Sequence, residues 1–200
     1  MSYDSPWPPG QYRRAHGYRC IRRSRWLRGP GAGRLHGHSD RGGQRDRCRD
    51  RAPARGEVAT NIRAPYFLIQ AALPALRESA ISSVVNISSS SGTLRISGQS
   101  VYGMTKCALE YLTQSLAGEL APAGIRVNCI APGPTDTPIH ATWADDLDEA
   151  YRWLKSQVPL GRIGDPAEVA RWIALLLSPA SSFMTGAVIP LDGGQVIPHA

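Results

Sequence analysis

Lysine is almost missing from this chain: Lys106 and Lys155 are its two lysines in 200 residues. Residues 1 to 56 hold none, although they carry fourteen arginines. Basic arms that grip nucleic acid commonly mix both cations, because phosphate asks only for charge. The absence therefore argues against an evolved arm of that kind. Long apolar runs are lacking too. The densest, Trp172 to Leu177, falls far short of the ~20 residues that span a bilayer, and no charged start leads into an apolar stretch with a small-residue cleavage site. A soluble, cytoplasmic protein with no membrane contact is the expectation. The four cysteines, Cys20, Cys48, Cys107 and Cys129, show no short pairing of the metal-knuckle or redox kind. His36 and His38 lie close together without an acidic or cysteine partner at ligand spacing, so no metal is expected.

What is present divides in two. Residues 1 to 56 set fourteen arginines against Asp4, Asp40, Asp46 and Asp50, a net of +10. The remainder sets nine Lys/Arg against twelve Asp/Glu, a net of −3, which together give the whole-chain +7. The high pI belongs to one segment, and it says little about the partners of the other. Between Ser5 and Gly56 the chain is Gly, Pro, Arg and His with single apolar residues, so neither the helical nor the strand period is sustained. Residues 1–56 are expected to be disordered or read out of frame, since GC-rich DNA read out of frame yields such a composition. Residues 57–200 are expected to fold as one domain.

From Glu57 onward the periodicity is regular. Ala59 to Glu78 predicts a helix with Ile62, Tyr66, Ile69, Leu73 and Leu76 on one face, bent or bounded by Pro65 and Pro74. Ser83 to Ser88 predicts a buried strand, Val101 to Leu120 a long helix stopped at Ala123-Gly124, and Ile125 to Ile130 a second strand. Asp145 to Glu149 reads as part of a solvated amphipathic helix. Pro166 to Leu177 predicts a helix capped by Asp165, and Ala187 to Leu191 a last strand. Strands alternating with helices imply an α/β fold with a parallel sheet covered on both faces.

Tyr102 and Lys106 stand four residues apart, on one face of one helical turn. A free tyrosine has a pKa of about 10, and a neighbouring cation favours its phenolate, so the pair can serve as a general acid/base. Taken alone, the pair also suits a packed tyrosine beside a surface lysine. Ser89 lies thirteen residues before Tyr102 at a strand end, and Asn61 opens the preceding helix. Singly, Asn61 reads as a helix cap and Ser89 as a turn residue.

In combination these residues resemble the short-chain dehydrogenase/reductase family, whose catalytic set is Asn, Ser, Tyr and Lys in that order. Arg126-Val127-Asn128-Cys129-Ile130-Ala131-Pro132-Gly133 looks like the family's strand and turn at the nicotinamide. Pro159-Leu160-Gly161-Arg162, Asp165 to Ala170, Thr185-Gly186-Ala187 and Leu191-Asp192-Gly193-Gly194 match its C-terminal signatures. The resemblance spans roughly residues 58 to 195. It implies a Rossmann-like sheet with flanking helices, an alcohol or ketone substrate, and NAD or NADP as cofactor. Tyr102 would pass the proton, Lys106 would lower the Tyr102 pKa and bind the nicotinamide ribose, and Ser89 would hold the substrate oxygen. Asn61 would position a relay water, while Pro132, Gly133, Thr135 and Thr137 would line the cofactor. Ser88 competes with Ser89 for the serine role.

The family's glycine-rich turn for the pyrophosphate has no counterpart here. Gly29, Gly31, Gly33 and Gly37 form a cluster with neither a buried strand before it nor an apolar helix after it. The N-terminal half of the fold is therefore expected to be missing or replaced by disorder, leaving an exposed edge on the strand Ser83 to Ser88, and catalysis is expected to be impaired. In the family the two long helices form the oligomer surface, which implies self-association through Ala59 to Glu78 and Val101 to Leu120. The competing reading is a non-enzymatic module whose arginine segment engages RNA or another polyanion.

Overall fold

The computed structural model describes residues 51–96 and 98–197. The arginine-rich segment through residue 50, its glycine cluster and His36 and His38 lie outside the described residues, as does most of the segment invoked for RNA.

The first helix, α1 (Arg51–Val58), continues through a wide π-type turn (Ala59–Arg63) into α2 (Ala64–Glu78). Helical structure thus reaches Arg51, several residues before the expected start at Ala59. The apolar period gives no hint of α1 because it packs on another helix, α3 (Ser100–Leu120), with a short mixed segment. The π-type turn has a local cause. Pro65 supplies no N–H to the carbonyl of residue 61 and its ring crowds that carbonyl, so the turn before it widens, and the Ala64 N–H bonds to the Ala59 carbonyl. Asn61 sits at the centre of this turn.

Strand β1 (Ser82–Ile87) lies beside β2 (Ile125–Pro132), which lies beside β3 (Val188–Leu191), all parallel in the order β1-β2-β3. Val84 is opposite Val127, and Ile130 is opposite Ile189. Strand alternation sends Ile125 and Val127 to one face, where they form a core with Ile69, Ala117 and Leu120, flanked by Leu73, Leu76, Val84 and Leu116. On the other face α5 (Pro166–Leu177) covers β1: the Ser83 hydroxyl donates to the Leu176 carbonyl at 2.8 Å, and Leu176 is fully buried. Arg126, on that same face, donates to the carbonyls of Ser178 and Ser181 just beyond α5. The sheet is therefore covered on both sides. Among the described residues, β1 pairs only with β2, so its outer edge is open.

Helix boundaries follow from their end residues. Gly124 takes a left-handed φ of 74° after the short turn Ala121–Ala123 and ends α3. Asp165 accepts from the Ala167 N–H while Glu168 accepts from the Asp165 N–H, a reciprocal cap that fixes the start of α5. The acidic stretch begins α4 (Leu147–Ser156), which buries Ala150 and Leu154 and exposes its charges. The face expected on α2 is only partly buried. Ile69 is buried, whereas Tyr66 is 45% exposed beside Phe67 at 53% and Leu68 at 69%. No helix among the described residues is long and apolar enough to cross a membrane.

Candidate active site

The C-terminal ends of β1 and β2, the first turns of α3 and the segment around α4 enclose a cavity of about 560 Å³. Ser89, Tyr102, Lys106, Pro132, Gly133, Thr135 and Thr137 all line it. Residues spread over 49 positions thus converge on one space, as parallel strands ending at one edge of a sheet permit.

Each is placed by its local backbone. Ser89 follows β1 in extended conformation and caps the tight turn Ser90–Gly92, accepting from the Ser91 N–H at 3.2 Å. Ser88 also lines the cavity, but its hydroxyl donates to Glu110 at 2.6 Å, with the Lys106 carbonyl at 3.2 Å. The two serines left open by the sequence thus both reach the cavity, Ser88 with its hydroxyl engaged by Glu110. The loop lies close to α3 because residue 103 is glycine; a Cβ there would stand 2.7 Å from the Ser91 carbonyl oxygen. Gly133 permits a second close approach, since its Cβ would stand 2.7 Å from the Asp192 Cα. The Gly133 N–H bonds to the Leu191 carbonyl, tying the end of β2 to that of β3.

Lys106 donates from Nζ to the Ile87 carbonyl at 3.0 Å, and Nζ stands 5.5 Å from the centre of the Tyr102 ring. Burial raises the Tyr102 pKa above the ordinary tyrosine value; a hydrogen bond with the Ser89 side chain opposes the rise and Glu57 adds to it. This reverses the direction expected from the lysine spacing, because desolvation of the phenolate outweighs the Ser89 hydrogen bond. Burial likewise lowers the Lys106 pKa, against the opposing influence of Cys129 and Glu57. The Cys129 thiol is itself pushed up to about 11 by burial and carries no charge at neutral pH.

Asn61 does not line the cavity. Its amide donates to Glu57 Oε2 at 2.8 Å and to Thr105 Oγ1 at 3.1 Å, and the Thr105 hydroxyl donates to the Tyr102 carbonyl. Asn61 thus reaches the site through the backbone of α3. Glu57 does line the cavity, and sequence reasoning missed it, since one carboxylate in a mixed segment carries no periodic signal. His140 was missed as well. Its Nε2 donates to the Thr135 carbonyl at 2.7 Å, while its ring meets Trp143 and Tyr151 edge-on. The Tyr151 hydroxyl donates to Asp136 at 2.6 Å, which ties α4 to the turn after β2. Trp143 and Trp153 both line the cavity wall, which makes the space largely apolar around one polar corner.

A family model described as enoyl-(acyl carrier protein) reductase matches residues 49–195, nine residues further upstream than the motifs reach. A tropinone reductase homolog of Arabidopsis thaliana is 43% identical over 140 residues, which are 70% of this chain and 53% of that protein. A short chain dehydrogenase family protein from Francisella tularensis has a similar solved structure, with a TM-score of 0.64 and 32% identity over 69% of this chain and 60% of that one. The solved structure of ElxO with NADP bound is similar at a TM-score of 0.67 and 30% identity, over 73% of this chain and 59% of that one. The chain spans about half the length of the curated relatives it matches.

Proposed function

The chain belongs to the short-chain dehydrogenase/reductase family, and from that premise we propose that it interconverts an alcohol and a ketone with NAD or NADP as the hydride carrier. The observation that carries this reading is the convergence of Ser89, Tyr102 and Lys106 on one cavity with Pro132, Gly133, Thr135 and Thr137. A nicotinamide cofactor, when bound, supplies or accepts the hydride. Its nicotinamide end fits the residues present: Lys106 presents an ammonium beside Tyr102, and the turn after β2 offers a backbone-lined wall held against Asp192.

In the reducing direction Ser89 donates a hydrogen bond to the substrate carbonyl oxygen and holds it beside the Tyr102 hydroxyl. Tyr102 gives its proton to that oxygen as charge develops on it, and takes a proton back from solvent. A phenol whose pKa is raised by burial keeps its proton at neutral pH, which suits the role of acid. Lys106 places positive charge near the phenolate as it forms. The apolar wall of Ile96, Ile139, Trp143 and Trp153 receives the body of the ketone.

Tested alone, the 200-residue chain holds the dinucleotide weakly. Among the described residues no strand runs through a glycine-rich turn into a helix N-terminus, the arrangement that grips a pyrophosphate through backbone N–H groups. Calorimetric titration with NADH and NADPH, beside a ketone-reduction assay, tests both parts of the reading. Weak cofactor binding with slow reduction that disappears in Tyr102→Phe supports it. Reduction unaffected by that substitution overturns the assignment of Tyr102, and tight binding overturns the expected weakness.

A further inference from the structure

The carboxylate of Glu57 lies in the wall of the cavity that Tyr102 and Lys106 share, and no motif assigns it a task. It is held there. Asn61, one helical turn on, donates from its amide to Glu57 Oε2 at 2.8 Å, and the same amide donates at 3.1 Å to Thr105, beside Lys106 on α3. The π-type turn before Pro65 aims Asn61 at α3, so one amide joins the end of α1 to the helix that carries the proton-transfer pair.

We propose that Glu57 is a positioning residue of this pair, whose anchored carboxylate holds both Tyr102 and Lys106 in their protonated forms. The inference rests on reading Tyr102 and Lys106 as the proton-transfer pair. A negative charge beside an ammonium favours its charged form, and the same charge beside a phenol disfavours the phenolate. The two influences differ in kind but share one outcome, retention of both protons, and that outcome suits carbonyl reduction. Burial sets the net direction of each shift, upward for Tyr102 and downward for Lys106, and Glu57 is a lesser, upward influence on both.

Other groups face the pair. Cys129 approaches Lys106 from β2 and is a neutral thiol at neutral pH. Glu110, one turn along α3, is occupied by the Ser88 hydroxyl at 2.6 Å. Ser89 reaches Tyr102 from the loop after β1. His140 lines the cavity with its Nε2 committed to the Thr135 carbonyl. Of the charged groups around the cavity, Glu57 is the one that raises the pKa of both members of the pair. As a merely structural i,i+4 partner of Asn61, it would leave the titration of Lys106 unmoved when replaced by an isosteric amide.

The scarcity of lysine makes the test direct. The full chain labelled with ¹³C at the lysine ε-carbons gives two signals, Lys106 and Lys155, which a Lys155→Arg variant assigns. The pH titration of both signals is followed in the wild type, in Glu57→Gln and in Glu57→Asp. The Lys106 midpoint is expected to move to lower pH in Glu57→Gln while that of Lys155 stays in place. Glu57→Asp, which keeps the charge but shortens its reach, is expected to lie between the two. An unmoved Lys106 midpoint in folded Glu57→Gln overturns the proposal; should only Glu57→Asp fold, an unmoved midpoint there overturns it. The measurement needs no cofactor or turnover. A chain that titrates as expected but shows no Tyr102-dependent reduction would keep the coupling and lose the catalytic reading.

Discussion

Lys106 Nζ bonds to the Ile87 carbonyl at 3.0 Å, joining α3 to the last residue of β1. This bond fixes Lys106 relative to Ser89, two residues beyond Ile87, while the helix itself fixes Lys106 relative to Tyr102. Three side chains from two elements are thereby held in one geometry with the half-buried ammonium among them. Under the proposed function, substrate and transition state would meet donors that are already aimed, which spares the reorganisation that water would need.

Removing the Tyr102 hydroxyl tests the centre of this arrangement. In Tyr102→Phe ketone reduction is expected to fall by about 10²–10⁴-fold, the usual contribution of a positioned general acid. The far-ultraviolet circular dichroism and thermal midpoint should stay close to those of the wild type, because the ring remains to fill its place. A loss of activity accompanied by unfolding would point to packing in place of proton transfer.

The protonation of Tyr102 gives a directional pH prediction. Burial raises its pKa and the Ser89 hydrogen bond opposes that rise. Reduction requires the protonated phenol, so the part of the rate that depends on Tyr102 should hold level through neutral pH and decline only above the ordinary tyrosine range. Ser89→Ala removes the opposing influence and should move the tyrosinate absorbance transition of Tyr102 to still higher pH. Ultraviolet difference titration against Tyr102→Phe isolates that transition; a shift to lower pH in Ser89→Ala would contradict the influence given to the Ser89 hydrogen bond.

Most elements were legible in the sequence because their burial repeats with a fixed period. β1, α3, β2, α5 and β3 lie within two residues of the expected ends, and Asp165 and Gly124 bound their helices as side-chain capping and left-handed geometry require. The meeting of Tyr102 and Lys106 was legible as well, since four residues on a helix set a shared face, whereas Ser89, in the loop after β1, was joined to them through the family resemblance. α1 was not, because its place comes from contact with α3 and its own residues carry no period. The direction of the Tyr102 shift was also hidden: spacing reports the nearby lysine, whereas the larger influence is the desolvation created by the surrounding fold. Glu57 and His140 escaped for a related reason, as both are brought to the cavity by backbone geometry outside any motif.

Gly103 is expected to be intolerant of even one methyl group. A Cβ at this position would stand 2.7 Å from the Ser91 carbonyl oxygen, a backbone atom that cannot turn aside. Gly103→Ala should push the Ser89 loop away from α3, costing about 1–3 kcal/mol as overpacking does, and should lower activity beyond what the stability loss explains. Denaturant unfolding beside the reduction assay separates the two effects. Gly118→Ala, where nothing lies within 4 Å of the added Cβ, serves as the control.

Alkaline pH should destabilise the fold through Cys129. This thiol is fully buried, and its pKa is pushed from 9.0 to about 11 by burial. A group whose pKa is raised by folding contributes its full stability below the unfolded value and loses it as pH climbs through the folded one. The loss therefore falls between pH 9 and about 11 and amounts to about 3 kcal/mol at its upper end. Cys129→Ala, which has no thiol to ionise, should flatten the decline in denaturant midpoint over that window, although it starts from lower stability at neutral pH because it leaves a small cavity. Parallel declines in the two proteins would show that other groups govern alkaline unfolding.

Self-association through α2 and α3 is the expected fate of the apolar side chains these helices leave uncovered. Phe67 is 53% exposed, Leu68 69% and Tyr111 74%, and large apolar side chains left exposed in this way can mark an interaction surface. A symmetric pair of copies would bury these residues against their own counterparts, as a two-fold interface requires. Sedimentation velocity on the wild type should show a species of at least twice the monomer mass. Phe67→Glu with Tyr111→Glu should shift it to monomer while leaving the Lys106 and Tyr102 titrations in place, since neither position lines the cavity. If the charged variant sediments as the wild type does, the interface lies elsewhere, and the edge of β1 left unpaired among the described residues becomes the next surface to test.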